Sequence, residues 1–365
     1  MSYKNILIIS PEPWNGHFVS KHHYAINLAK SGAKVYFLDP PNNNLKDIVV
    51  QETEFKNLYC VQSPKVAKGL QYMPKFVRNF LEAKWLKRLE FIINDKIDTI
   101  WLFENSRFYD LDFAKDRLKI YHQVDFNQNF HIKEASKSAD ICFCISEYIR
   151  ELIYPYNEKT FIIGHGVQLV DTDVLPDKYL LLVNKNKINV VYIGNLDMKY
   201  INEDIFINLI KKYPNAIFHL IGSYSESGKL YQKLKNFKNV VWWGRVESKY
   251  IIPILKLMDI NLIIYKSDKY KKQITNTHKI LEYLMSGKVI VSTYLEEYKN
   301  KRYLIEMVDN PEDFIKKFDE VVNNLDNYNS PQKQQERIEF ALQHTYDKQL
   351  EKIKELIKKY TNKSL

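Results

Sequence analysis

The sequence predicts an α/β protein built as two doubly wound, Rossmann-like domains facing across a cleft. Three observations carry this. Short apolar runs alternate with longer amphipathic segments along the chain, as in parallel sheets covered on both faces by helices. The series breaks once, at a polar stretch over residues 168–189 containing Pro176, and then restarts. Glycines follow several of the apolar runs, and in doubly wound sheets ligands sit beyond the carboxyl ends of the strands.

Residues 6–9 read as the first buried strand and residues 19–31 as a helix stopped at Gly32. Residues 35–38 are the second strand, closed by Pro40-Pro41. Residues 98–103, 119–122 and 140–145 are further buried strands. Residues 161–163 end this series at Gly164-His165-Gly166-Val167. The first domain is therefore expected over residues 1–170, a linker over 171–187 and the second domain over 188–345. Strands of the second domain are expected at 188–193, 216–221, 240–243, 260–265 and 289–292, the first three followed by Gly194, Gly222 and Gly244. Residues 346–365 are expected as a charged C-terminal helix packing back towards the first domain.

A chain of 365 residues suits two domains of ordinary size. With 45% apolar and 27% charged residues it can bury real cores, which excludes disorder as its main state. Lys and Arg number 54 against 44 Asp and Glu, a net charge of +10. That balance suits an anionic partner, whether nucleic acid, a membrane surface or a phosphorylated small molecule; a solvated Lys-rich surface is the plain alternative. Helix-turn-helix, zinc and RNA-recognition patterns are missing, which argues against nucleic acid. No G-x-G-x-x-G follows a strand, which argues against a dehydrogenase. Cys60, Cys142 and Cys144 lack metal-site spacing and read as buried free thiols of a reducing cytoplasm. No apolar run approaches the ~20 residues of a membrane span. The expected location is cytoplasmic, peripheral at the inner face of the membrane.

Two segments carry candidate chemistry. In residues 267–292 a helix is expected to start at Thr277 as N-cap and to end at Gly287. Thr275, Asn276 and Thr277 lead into its N-terminus, a ready anion site. Lys279 adds a cation in the first turn, and Glu282 a carboxylate able to accept the two hydroxyls of a ribose. An amphipathic helix with an exposed Lys and Glu is the plain alternative. In residues 64–90, Lys65, Lys68, Lys75, Arg78, Lys84, Lys87 and Arg88 stand against only Glu82 and Glu90, with aromatic and aliphatic residues interleaved. This reads as a basic amphipathic helix on an anionic membrane, touching it through Lys75, Phe76, Arg78, Lys84, Trp85 and Arg88. The alternative packs Phe76, Phe80 and Leu81 into the first domain's core.

The run Lys279-Ile280-Leu281-Glu282-Tyr283-Leu284-Met285-Ser286-Gly287-Lys288-Val289-Ile290-Val291 resembles the donor signature K-x-x-E-Y-x-x-x-G-K-x-V-V of GT-B glycosyltransferases. There the Glu grips the ribose of a nucleotide-sugar. Many such families carry a second Glu eight positions earlier, where this chain has Ile274. Ile8-Ile9-Ser10-Pro11-Glu12-Pro13-Trp14-Asn15-Gly16-His17, followed by Lys21-His22-His23-Tyr24, is similar to the opening of bacterial cell-surface polysaccharide glycosyltransferases. The similarity is to the teichuronic-acid type and to the xanthan glucuronosyltransferase.

The resemblance implies a GT-B fold and a sugar moved from a nucleoside diphosphate-sugar, UDP-sugars favoured. The acceptor is then lipid-linked or a saccharide of a cell-surface polysaccharide, and the outcome inverting. It implies no cofactor and no metal; Asp110-Leu111-Asp112 and Asp171-Thr172-Asp173 look like the D-x-D of metal-dependent GT-A enzymes without their context. Donor contacts fall to Gly194, Asn195, Gly222 and Arg245 beside Glu282, Lys279, Thr277, Asn276 and Thr275. Gly16, His17, His22, His23 and His122 fall on the cleft or acceptor side. The general base is Asp125, just past a buried strand, with Glu104 as rival and one of the histidines as a further option. A sugar-nucleotide epimerase on the same frame, or a non-catalytic anion-binding protein, is the alternative function.

Overall fold

Residues 6–9 offer no polar side chain to water, so β1 (Asn5–Ile9) forms buried on both faces. Around it the computed structural model, which describes residues 4–16, 18–103, 105–126, 130–169, 174–274 and 277–365, divides the chain into two units. One runs to Gly164 and takes in Tyr346–Leu365; the other is His165–Thr345.

The first unit holds β1, β2 (Lys34–Leu38), β3 (Val49–Glu52), β4 (Leu58–Gln62), β5 (Thr99–Leu102), β6 (Leu118–Gln123), β7 (Ile141–Cys144) and β8 (Thr160–Ile162). Their order is β3-β4-β2-β1-β5-β6-β7-β8, parallel throughout except β3 against β4. The winding direction reverses between β1 and β5, which makes their carboxyl ends a switch point. The sequence reading lacks β3 and β4, because β3 is a half-exposed edge strand with Gln51 and Glu52 in solvent and shows no apolar run. The helix Tyr346–Thr361 completes this unit by placing Tyr346, Leu350, Ile353 and Ile357, one per turn, in its core. Tyr346 also stacks on His23, with ring centroids 4.7 Å apart.

The basic segment departs from expectation. Its helix is Lys75–Ile93, preceded by Pro74 and a single 3-10 turn at Leu70–Tyr72. Trp85 faces inward against Phe108 and donates its indole N–H to Ser63 Oγ at 3.3 Å. Arg78 also turns inward and pairs with Asp110 at 3.2 Å. Neither can touch a membrane surface. Phe76 and Phe80, at 75% and 69% exposure, stand in solvent rather than in the core, and Tyr72 is 86% exposed. Helical geometry explains both corrections: residues 76 and 80 share a face one turn apart, whereas 82, 85, 86 and 89 fill the opposite face. Lys75 and Arg88 remain at the surface, paired with Asp112 and Asp47.

Glu82 is 1% exposed on that inner face. Burial pushes its carboxyl up to about 8 from an ordinary 4.5, the Asp110 charge adds to this, and Arg78 opposes it. A folded-state pKa above the unfolded one means the native state holds more protons, so this group's contribution falls as pH rises from about 4.5 to about 8. Glu82→Gln, which copies the protonated form, is expected to stabilise the fold at pH 8 by on the order of 1–3 kcal/mol and to change little at pH 5. Thermal melts at the two pH values check this; equal shifts at both would refute it.

The second unit holds β9 (Asn189–Ile193), β10 (Ile217–Ile221), β11 (Val240–Gly244), β12 (Ile260–Ile263), β13 (Val289–Ser292) and β14 (Glu306–Met307). All are parallel, in the order β11-β10-β9-β12-β13-β14, with a switch point between β9 and β12. The unit begins at His165, so the described part of the expected linker belongs to it. Val167 N–H donates to His344 O at 2.9 Å, and Tyr179 stacks on Trp243 with centroids 5.5 Å apart.

Candidate active site

The β9–β12 ladder has only two residue pairs, Ile260↔Val190 and Asn261↔Val191. Beyond them the strands part, and the Ile193 N–H and Leu262 carbonyl would be stranded in the core. The Tyr283 hydroxyl fills that gap, accepting from Ile193 N at 2.8 Å and donating to Leu262 O at 3.2 Å. Tyr283 belongs to the helix Lys279–Met285, so this clamp fixes the helix against the switch point. Gly287, at φ 75°, then ends the helix in the left-handed region that favours glycine. Its carbonyl is held at 2.9 Å by Arg337, a fully buried cation.

The clamp sets Lys279 and Glu282. The Lys279 amine lies 3.8 Å from the Tyr192 ring centroid and 5.2 Å from that of Tyr265. Burial lowers its pKa, and the Tyr265 and Glu282 partners oppose that. Glu282 keeps some accessible surface, but desolvation still pushes its carboxyl up to about 7, with Lys279 opposing. The pair is thus a cation and a carboxyl, one helical turn apart, both short of solvation.

The floor of the site is backbone. Gly194, Gly222 and Gly244 follow or end β9, β10 and β11 and are knitted together: Gly222 N donates to Gly244 O at 2.8 Å, and Gly194 N to Ile221 O at 2.9 Å. A Cβ at Gly222 would lie 2.0 Å from Gly194 O, and one at Gly194 would lie 3.1 Å from Lys279 Nζ. Both glycines have positive φ, 135° and 141°. Only glycine permits this packing, which leaves Gly194 directly beside the buried amine. Asn195 and Arg245 are exposed just past β9 and β11, and Asn195 Oδ1 accepts from Asp197 N at 3.0 Å.

The helix start differs from expectation. Its N-cap is His278, with no side-chain capping bond, because Thr277 is spent elsewhere. The Thr277 carbonyl accepts from Ile280 N at 3.3 Å and its side chain bonds Tyr265. Thr275 and Asn276 lie outside the described residues. Tyr283 and the histidine pair His165–His278, with ring centroids 3.5 Å apart, complete the neighbourhood. The sequence reading assigned a role to none of these three. His165 is buried and His278 exposed.

In the first unit Asp125 is exposed in the loop after β6. A relay holds that loop: Asn105 Nδ2 donates to the Tyr121 hydroxyl at 2.9 Å, Tyr121 to Gln123 Oε1 at 3.0 Å, and Gln123 Nε2 to Asp125 O at 3.0 Å. Asn105, Tyr121 and Gln123 are buried and were not singled out in the sequence. Glu104 and His17 lie outside the described residues, as does Asp171-Thr172-Asp173. Asp110 and Asp112 are engaged by Arg78 and Lys75.

Two of the expected acceptor-side histidines are core residues. His122 is 1% exposed and stacked against Phe103 at 4.9 Å and Trp101 at 5.9 Å, because its place inside β6 points it into the sheet's packing layer. His22 stacks on Phe18 at 4.9 Å, with Nε2 3.1 Å from Pro13 O, and burial lowers its pKa. Gly16 closes a turn onto Pro13 O at 3.0 Å. Together with the Lys21–Glu12 ion pair this folds the loop after β1 over buried Trp14.

Residues 187–324 match the family model described as glycosyl transferases group 1. Among curated proteins, the putative teichuronic acid biosynthesis glycosyltransferase TuaH of Bacillus subtilis is 28% identical over 192 residues, 48% of this chain and 47% of that protein. The match thus spans about half the length of this relative. Among solved structures, sucrose-phosphate synthase from Thermosynechococcus elongatus superposes with a TM-score of 0.69 at 11% identity over 98% of each chain. Anabaena HepE, in complex with UDP and glucose, does so with a TM-score of 0.69 at 14% identity over 96% of this chain and 98% of its own. Likeness at such identities is a likeness of fold. The chain therefore has the GT-B fold, and residues 187–324 within its second unit match the model of the group 1 glycosyltransferases.

Proposed function

We propose that the chain transfers a sugar, with inversion, from a nucleoside diphosphate-sugar to a lipid-linked or saccharide acceptor of a cell-surface polysaccharide. The carrying observation is the buried Lys279 amine beside the Gly194–Gly222 floor, with Glu282 one turn along the same helix. A desolvated cation against close-packed backbone suits a diphosphate, whose charge grows as the sugar leaves. A carboxylate at that distance suits the two ribose hydroxyls. UDP is favoured among the nucleotides; the HepE complex with UDP and glucose supports this choice, and the TuaH likeness supports polysaccharide synthesis.

A panel of nucleotides tests the reading. UDP is expected to raise the melting temperature more than GDP, ADP or NAD, and UDP-sugars to be slowly hydrolysed without acceptor. No shift with any nucleoside diphosphate would overturn it.

We infer further that the outer face of the helix Lys75–Ile93, with Phe76 and Phe80 exposed beside Lys84 and Lys87, brings the protein to an anionic bilayer surface. No described helix is long and apolar enough to cross a membrane. Vesicles containing anionic lipid are expected to sediment the protein at low salt and to release it as salt rises, at about 1 kcal/mol per contacting cation. Equal recovery on neutral vesicles would refute an electrostatic attachment.

A further inference from the structure

A buried ammonium ordinarily meets a carboxylate or gives up its proton, because desolvation works against its charge. Lys279 has a different neighbour. It is 7% exposed, and no acceptor among the described residues completes a well-formed hydrogen bond with its Nζ. The Nζ lies instead 3.8 Å from the centre of the Tyr192 ring, with the Tyr265 ring as a further wall at 5.2 Å. The first distance is well inside the ~6 Å within which the negative face of an aromatic ring attracts a cation. Tyr265 and Glu282 also favour the charged form.

The surrounding fold fixes this arrangement. Tyr192 is 1% exposed inside β9, where it pairs with Leu220 of β10, and its ring packs edge-on against Phe206 with centroids 5.6 Å apart. The ring therefore cannot turn away. The next residue, Ile193, takes the Tyr283 clamp at 2.8 Å, and Tyr283 lies one turn after Lys279 on the same helix. One bond thus sets the register of amine over ring. Gly194 comes two residues after Tyr192, on the same side of the strand. A Cβ there would lie 3.1 Å from Nζ and 3.8 Å from Tyr192 Cε1. With no side chain at that position, the amine is bounded by the ring and by backbone. A ring face compensates the charge without occupying an N–H donor, so the donors remain for an incoming anion.

We propose that Tyr192 is a positioning residue of the donor site: its ring face seats the Lys279 ammonium and leaves the N–H donors of that group for the diphosphate of the nucleotide. This rests on the glycosyl-transfer reading and deepens it, by naming the group through which a buried cation tells a nucleoside diphosphate from its nucleoside. Tyr192 touches no substrate in this scheme and acts only through Lys279.

Replacement of residue 192 in the full chain by phenylalanine, difluorophenylalanine and pentafluorophenylalanine tests this, because fluorine drains the negative ring face at nearly constant shape. UDP and uridine are titrated calorimetrically against each variant. Tyr192→Phe is expected to bind UDP within about 3-fold of wild type, since the ring remains. UDP affinity is then expected to fall stepwise with fluorination, by ~10-fold or more at the pentafluoro ring, while uridine stays unchanged. In a Lys279→Met background the fluorinated rings are expected to have no further effect on UDP, because the coupled partner is gone. UDP affinity that is flat across the series overturns the seat. An equal loss for UDP and uridine also overturns it and gives Tyr192 a packing role alone. A second readout needs no nucleotide. With lysine labelled at Cε, the resonance that disappears in Lys279→Met is expected upfield of the other lysines, shifted by the ring current of Tyr192. An unshifted resonance overturns the seat. A shifted resonance in a chain that does not bind UDP keeps the seat and overturns the donor reading.

Discussion

Asp125→Asn is expected to lower the turnover number by about 10²–10⁴-fold while leaving UDP affinity unchanged. An acceptor hydroxyl has a high pKa and must shed its proton as it attacks, so an inverting transfer needs a carboxylate within hydrogen-bond reach. Asp125 is the carboxylate we propose for this role. It follows β6 of the first unit and is exposed, and its backbone carbonyl is held by the Asn105–Tyr121–Gln123 relay while the carboxylate stays at the surface. A base that acts only in the transition state contributes to turnover and not to donor binding. Gln123→Leu provides a control on positioning: it frees the loop but keeps the carboxylate, and is expected to cost less than Asp125→Asn. Wild-type turnover in folded Asp125→Asn would remove the residue from the mechanism. A product that retains the donor's anomeric configuration would remove the need for such a base.

Glu282→Gln is expected to weaken UDP by roughly 10–100-fold, the loss of a charge-assisted pair of hydrogen bonds at 1–3 kcal/mol. The sign of its pH dependence follows from the desolvation that pushes this carboxyl up to about 7. Only the ionised form accepts both ribose hydroxyls. Below pH 7 binding must first expel a proton, so UDP affinity is expected to rise with pH through about 7 and level off above it. Stability runs the other way, since the folded state holds the extra proton between the ordinary value of 4.5 and about 7, and this contribution fades as pH rises through that window. Titrations across neutral pH should show the slope in the wild-type protein and a flat line in Glu282→Gln. The same slope in both would assign it to another group and take Glu282 out of the ribose contact.

What the sequence by itself determined is what depends on neighbours along the chain. β1, β7 and β13 were legible because an unbroken apolar run can be satisfied only by burial on both faces. The segment that carries Lys279 and Glu282 was legible for the same reason. Helix Lys279–Met285, its Gly287 stop and β13 are contiguous, and a one-turn spacing places Lys279 and Glu282 near each other wherever the helix goes. The tail helix was legible from its periodic apolar positions.

Tertiary structure decided what depends on which element lies beside which. No local pattern says that the β9–β12 ladder stops after two pairs, so no pattern could show Tyr283 filling the gap. Trp85 and Phe76 look equally suited to a membrane face until the loop bearing Phe108 takes one side of their helix. His122 reads as a catalytic candidate until Trp101 and Phe103 from the neighbouring strand and loop enclose its ring. Asn105, Tyr121 and Gln123 become a relay only when β5 and β6 pair. Side-chain periodicity assigns a residue to a face, but burial, hydrogen-bond partners and pKa are properties of the neighbours on that face. Parallel sheet order brings those neighbours from distant parts of the chain.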